Sequence, residues 1–294
     1  MKFDIAMLGH VSKDIIVDHL GSETRLLGGA VVYSCAAAAR AGAKVLAVTK
    51  AAAEDAKELG GLKKDAAELL VLPSPATTSI LNVFKTADHE RRDTKLVSRA
   101  APFAAGDLPA AAEARIIDLA GLFVGELPDS LIEDLKGRGR IAADAQGLLR
   151  CADESGAMLF ADWANKRKYL PLVDYFKTDA AEAEILTGSK DREEAARILA
   201  SWGAREVMVT YNTEVLVLVD GKIHRAPFTP SNLSGRTGRG DTTFASYLTR
   251  RLDHDPAESV RFAAALCSIK MEKPGPFTGT VEEVLERMER DAKR

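Results

Sequence analysis

The chain has 294 residues, 46% of them hydrophobic, which suits one large α/β domain and argues against disorder. Lys+Arg number 40 against Asp+Glu 43, a net charge of -3, so no basic field draws it to nucleic acid or an anionic membrane, and a small-molecule partner is expected. No apolar run approaches the length of a bilayer span, and the opening MKFDIAMLGH reads as a first strand rather than a signal peptide, so the cytoplasm is the expected location.

Phe3 to Leu8 is a short apolar run ending at Gly9, the pattern of a buried parallel strand whose C-terminal end opens into a ligand-gathering loop. That loop, Gly9-His10-Val11-Ser12-Lys13-Asp14, lacks G-x-G-x-x-G, which argues against a dinucleotide oxidoreductase. On spacing alone Asp14 reads as a solvated turn acid. Gly28-Gly29 precedes an alanine-rich helix, Ala30 to Arg40, that ends before Gly42. The glycine pair is either a plain turn or a place where substrate lies against backbone. Lys44 to Thr49 predicts a second core strand and Glu54 to Leu70 a helix.

From Thr77 to Arg99 the texture changes. TTSILNVF and DTKLVSRA are rich in β-branched residues and joined by the polar ADHERR, which predicts a hairpin. A hairpin inserted into alternating strands and helices does not join a parallel sheet easily, so it should stand off as a small β lid. Arg91, Arg92, Lys95 and Arg99 suit a solvated face or, alternatively, a phosphate clamp.

Alternation resumes with Arg115-Ile-Ile-Asp, Leu122-Phe-Val, a helix from Pro128 to Lys136 and a strand from Arg140 to Ala143. Asp144-Ala145-Gln146-Gly147 follows at the sheet edge, where polar side chains meet ligands. Val173 to Thr178 is a strand entering Asp179-Ala180-Ala181-Glu182 and a helix that stops at Gly188; acids in that first turn already suit the helix dipole. Asp191 to Trp202 predicts a helix, Glu206 to Thr210 and Val215 to Val219 strands, and Asp220-Gly221 a hairpin turn. Helices from Ala257 to Lys273 and from Val281 flank Pro274-Gly275-Pro276. Cys35, Cys151 and Cys267 are far apart and without metal or redox spacing, so they read as small core residues. The pattern predicts a three-layer α/β/α sandwich with a mainly parallel sheet and a small β lid contributed mainly by about 77 to 99, in a single domain.

Gly235 to Ala245, GRTGRGDTTFA, carries the chemistry. Glycines turn tightly and admit a ligand close to backbone, and the first turn of the following helix offers unpaired N–H groups at its positive end. The combination is an anion cradle. Asp241 within it is either a helix cap or a general base beside a phosphoryl group.

The stretch resembles the D-T-x-G-A-G-D signature of the ribokinase-like (PfkB-type) carbohydrate kinases, with Gly238, Arg239, Gly240 and Asp241 in the G-A-G-D places. The resemblance implies an anion hole on the glycines and Asp241 as catalytic base. Arg239 departs from the usual small residue, and Gly235 and Arg236 stand where the family has an aspartate that helps hold a monovalent cation. Asp14 fills the family's G-x-x-x-x-D position for substrate hydroxyls. Gly28-Gly29 fills its G-G-x-x-x-N, with Tyr33 for asparagine, and Arg92 is the matching lid arginine. Asp144, Gln146 and Arg150 match a D-x-Q-G-x-x-R pattern of a branch that includes inositol and nucleoside kinases. Asp179 and Glu182 match N-x-x-E, which organises Mg2+ and phosphate through water, and Thr210-Tyr211-Asn212 fills the T-x-G nucleotide loop.

The resemblance thus implies an ATP-dependent, Mg2+-assisted kinase of a sugar, nucleoside or, by preference, inositol-like polyol, with the β lid as the surface of a homodimer. Arg236 and Arg239 would bind the phosphates of ATP, stand in for the cation, or face solvent. A regulator that kept the fold but lost turnover would also explain the departures.

Overall fold

In the computed structural model, residues 1–86 and 92–293 are described, Arg92 by its backbone alone. The chain opens with β1 (Lys2–Leu8), β2 (Ser12–Val17), β3 (Glu23–Gly28) and α1 (Ala30–Arg40). There follow β4 (Val45–Ala51), α2 (Gly60–Asp65), β5 (Glu68–Pro73), β6 (Thr78–Phe84), β7 (Arg92–Ser98) and β8 (Glu113–Leu119). The middle holds α3 (Ser130–Asp134), β9 (Arg140–Asp144), α4 (Gln146–Leu149), β10 (Arg150–Ala152), β11 (Met158–Phe160) and α5 (Lys166–Tyr169). Then come β12 (Tyr175–Asp179), α6 (Ala180–Thr187), α7 (Arg192–Ser201), β13 (Glu206–Thr210), β14 (Glu214–Val219) and β15 (Lys222–Pro227). Three helices close the chain: α8 (Arg239–Arg250), α9 (Pro256–Met271) and α10 (Val281–Asp291).

Nine strands form one sheet in the order β15-β14-β13-β12-β9-β8-β1-β4-β5, parallel from β13 to β5 and closed by the antiparallel β14 and β15. Successive residues of each strand face opposite ways, and the core splits accordingly. Ile5, Met7, Val45 and Ala47 pack against α1, α8 and α9, while Ala6, Leu8, Leu46 and Val48 share the opposite cluster with residues of α3, α6 and α7. This is the expected three-layer sandwich. No helix among the described residues is long and apolar enough to cross a membrane.

The lid differs from the expectation. It is a four-stranded sheet, β3-β2-β6-β7, so half of it comes from residues 12–28 rather than most of it from 77–99. Asp14 therefore stands on strand β2, paired with Leu26 on one side and Ile80 on the other, and not in a loop. Glu54 to Leu70 is not one helix: a short 3-10 turn and α2 give way to β5, whose Glu68–Pro73 run pairs with the sheet edge at β4. Leu122-Phe-Val forms no strand, and Cys151 is only half-buried, whereas Cys35 and Cys267 lie in the core. Asp220 and Gly221 both adopt positive φ, 47° and 76°, as a two-residue hairpin turn demands.

Candidate active site

Between the lid and the C-terminal edge of the large sheet lies a cleft of about 1020 Å³. Its wall on the helical side is the start of α8. Gly238 is the N-cap, at φ 76° in left-handed geometry that few side-chain-bearing residues tolerate. The Arg239 N–H bonds the Arg236 carbonyl at 3.3 Å and the Thr242 N–H the Gly238 carbonyl at 2.9 Å, which leaves the Gly240 and Asp241 amides as the helix's orphan donors facing the cleft. Gly238 rests on the Tyr33 ring, where a Cβ would stand 2.2 Å from the nearest ring carbon. Asp241 lies one residue into the first turn beyond Gly240 and makes no capping bond, so the cap reading does not hold. Burial pushes its carboxyl up to about 6, against the pull of Lys177, Arg150 and Lys270.

Beneath Gly240 lies Lys177, almost fully buried on β12. Burial opposes its charge, but Asp144, Glu182 and Asp241 together outweigh that cost and hold it protonated. Both Asp144 oxygens accept from its Nζ, at 3.0 and 2.9 Å, and Asp144 Oδ1 also accepts the Gln146 N–H. Asp144 was an expected substrate ligand. It is instead sealed under the cleft by this ion pair and does not line the cavity. Gly28 is likewise off the cavity: it clears space for Asp14, whose Oδ2 a Cβ would meet at 2.4 Å.

Asp14, Gly29, Gln146, Asp179, Glu182, Thr210, Asn212 and Arg236 all reach the same cleft as Gly238 to Asp241. On the lid side Asp14 accepts from the Ser12 hydroxyl at 2.7 Å, and Asn82 accepts from Thr94 at 2.9 Å. On the floor Arg150 donates to Gln146 at 3.3 Å and stacks over Phe123, 4.9 Å from its centroid. Burial, with Asp14 and Asp241 nearby, pushes the Tyr33 hydroxyl up to about 12, so it stays a neutral donor. The side chain of Arg92, and Arg91 altogether, lie outside the described residues. Lys95 and Arg99 are exposed, as a solvated face requires.

At the other end, Asp179 and Glu182 form a reciprocal capping box: each carboxylate accepts the other's backbone N–H at 2.8 Å. Burial pushes Glu182 up to about 7 although Lys177 pulls it down. No cluster of three or more metal-ligating side chains exists among the described residues. A magnesium ion fits only with an inner shell of phosphate and water, and Asp179 and Glu182, each with one carboxylate oxygen not used by the box, suit that outer role. Arg239 Nη1 donates to Asn212 Oδ1 at 3.0 Å, while its buried Nε has no partner. Asn212 keeps a negative φ, so the loop does not use the left-handed geometry that asparagine allows.

Among the buried charged residues that escaped the sequence reading are Asp118, Lys177 and Lys270. Each had a signal, a charge directly beside apolar residues in a strand (RIIDL, YFKTD) or a helix (LCSIKM).

The chain matches the pfkB family of carbohydrate kinases over residues 3–283. A cytidine kinase of Thermococcus kodakarensis is 27% identical over 290 residues, 95% of this chain and 99% of that protein. A pyrophosphate-dependent kinase in the ribokinase family, solved with a pyrophosphate analogue and myo-inositol, is 36% identical with a TM-score of 0.87, covering 96% of this chain and 99% of that one. A sulfate complex of a pyrophosphate-dependent kinase in that family is 38% identical over the same shares, also with a TM-score of 0.87. Arabidopsis thaliana ribokinase, solved with ribose and ATP, shares the fold at 17% identity and a TM-score of 0.77 over 98% of this chain and 99% of that one.

Proposed function

The chain belongs to the pfkB family of carbohydrate kinases, and on that premise we propose that it phosphorylates one hydroxyl of an inositol-like polyol with pyrophosphate as donor. The observation that carries the donor is Arg239. From the first residue of α8 its guanidinium reaches Asn212, the loop where the resemblance puts nucleotide, and keeps a buried Nε without a hydrogen-bond partner. With Arg236 on the same cleft, this suits a compact phosphoanhydride held by charge. The similarity to pyrophosphate-dependent kinases at 36% and 38% identity supports the same donor. The acceptor reading rests on the polar residues that ring the other half of the cleft, Ser12, Asp14, Asn82, Thr94, Gln146 and Arg150.

In this reading the Asp241 carboxylate takes the proton of the attacking hydroxyl as its oxygen bonds the near phosphorus. The anhydride bond breaks, and the leaving orthophosphate stays on Arg236 and Arg239. The Gly240 and Asp241 amides and the α8 dipole stabilise charge on the phosphoryl group in flight, each such donor being worth about 3 kcal/mol of barrier in other enzymes. Asp14 and Tyr33 hold the acceptor, and Asp179 and Glu182 would hold hydrated magnesium, which when bound supplies charge neutralisation across the phosphates.

ATP is the second reading, because the same cradle suits terminal phosphates of any phosphoanhydride and the fold is shared with a ribokinase seen with ATP. Product formation from pyrophosphate and from ATP, each with a panel of inositols, sugars and cytidine, decides. The proposal requires a kcat/KM for pyrophosphate at least about tenfold above that for ATP, a difference of about 1.4 kcal/mol. Equal or better use of ATP overturns it.

A further inference from the structure

Behind the cradle lies a buried cation that the reaction above does not employ. Lys270 sits on α9, 2% exposed, on the face of Leu266 and Cys267. Its Nζ donates to the Gly235 carbonyl at 2.5 Å and to the Thr237 carbonyl, and stands 5.2 Å from the centroid of the Tyr33 ring. Tyr33 is the ring on which Gly238 rests. The Gly235 N–H bonds the Met271 carbonyl at 2.8 Å, and a Cβ there would strike the Lys273 carbonyl at 1.8 Å, so the loop is pressed against the end of α9.

The hydrogen-bond partners of this ammonium are carbonyls, and no carboxylate pairs with it among the described residues; Asp241 acts on it only at longer range. Burying an ammonium without a counter-ion is costly, and burial pushes Lys270 down to about 8. A methionine would fill the same volume without that cost. Main-chain carbonyls converging on one positive charge are the means by which proteins hold potassium. Here the carbonyls belong to the loop that delivers Gly238 and the orphan amides, and a positive charge behind them favours an anion in front.

We propose that the Lys270 ammonium is a built-in monovalent cation, which fixes the Gly235 to Gly238 loop from behind and adds its charge to the anion site, so that no alkali ion is needed. Lys270 is thus a positioning residue acting through the loop. The proposal rests on the cradle being the donor site described above.

Calorimetric titration with inorganic pyrophosphate, in potassium chloride and in tetramethylammonium chloride of equal ionic strength, tests it. The wild-type affinities should agree within about threefold, because the charge is already in place. Lys270→Met, uncharged and of similar length, should bind pyrophosphate at least about tenfold more weakly. Lys270→Gly should regain affinity with ammonium or potassium and not with tetramethylammonium, a rescue that a merely structural lysine would not give. A potassium effect above about threefold on the wild type, or Lys270→Met binding like the wild type, overturns the proposal. The wild-type comparison needs no variant, so a misfolded variant leaves the test decisive. Cation-independent pyrophosphate binding by a protein that phosphorylates no acceptor would overturn the proposed function and leave this inference standing.

Discussion

The Lys177 ammonium bridges both oxygens of Asp144, at 3.0 and 2.9 Å, and the backbone of Gly240 rests directly on it. One buried ion pair thereby connects β9 and β12 to the start of α8 and sets the height of the anion cradle above the sheet. The same ammonium lowers the carboxyl of Asp241, which burial alone would raise further.

Breaking that pair should be expensive. Lys177→Met leaves the buried Asp144 carboxyl without its counter-ion, and thermal or urea unfolding should report a loss of about 3–5 kcal/mol. The double variant Lys177→Met/Asp144→Leu should recover most of the stability but not the activity. Equal melting of the single variant and the wild type would remove the pair from the account.

The pH profile of kcat/KM should carry the signature of Asp241. Its carboxyl is held up near 6 and must be ionised to accept a proton, so activity should rise as pH climbs through about 6, and fall again near 8 where Lys270 loses the charge that supports the donor site. The rising limb should vanish from the residual activity of Asp241→Asn. A profile flat from pH 5 to 7 by about that span of two units would take the base role from Asp241.

Asp118 predicts a stability effect of opposite character. It is 1% exposed, neither of its carboxylate oxygens has a partner, and burial with Asp144 and Asp241 nearby pushes it up to about 8. Its folded pKa lies above the unfolded one, so the native state loses stability as pH rises from about 4 to about 8, where only the unfolded chain ionises freely. Asp118→Asn should therefore match the wild type near pH 4 and be more stable at pH 8 by up to about 5 kcal/mol. A gap that does not widen with pH, followed by denaturant melts, would show that Asp118 is paired in solution.

Gly28 and Asp14 predict a split in kinetic constants. A methyl group at Gly28 would press on Asp14 Oδ2, so Gly28→Ala, like Asp14→Ala, should raise the acceptor KM at least about tenfold, the scale of a lost hydrogen bond to a charged group, with donor KM unchanged. A rise in donor KM instead would exchange the two halves of the cleft.

The layers of the sandwich were legible because parallel strands buried on both faces read as apolar runs between capped helices, as at Phe3 to Leu8 and Glu206 to Thr210. Strands β2 and β3 were not legible. In Glu23–Gly28 only the last residue is buried, so no alternation marks it, and it is held by pairing with β2 alone. The cradle was written in its glycines, whereas the charges beneath it come from β8, β12 and α9, far apart in sequence, and only the fold converts a lysine inside YFKTD into the support of Gly240. Asp144 misled for the same reason: a polar residue at a sheet edge reads as a ligand until its partner, Lys177, is in view.

Phosphorus NMR of the enzyme with pyrophosphate and myo-inositol tests the central claim most directly, with Asp241→Asn run in parallel. The account predicts a phosphomonoester resonance that grows with one orthophosphate per ester in the wild type, and a rate lower by about 10²–10⁴ in the variant. Orthophosphate without ester, or ester formed equally fast by the variant, would contradict it.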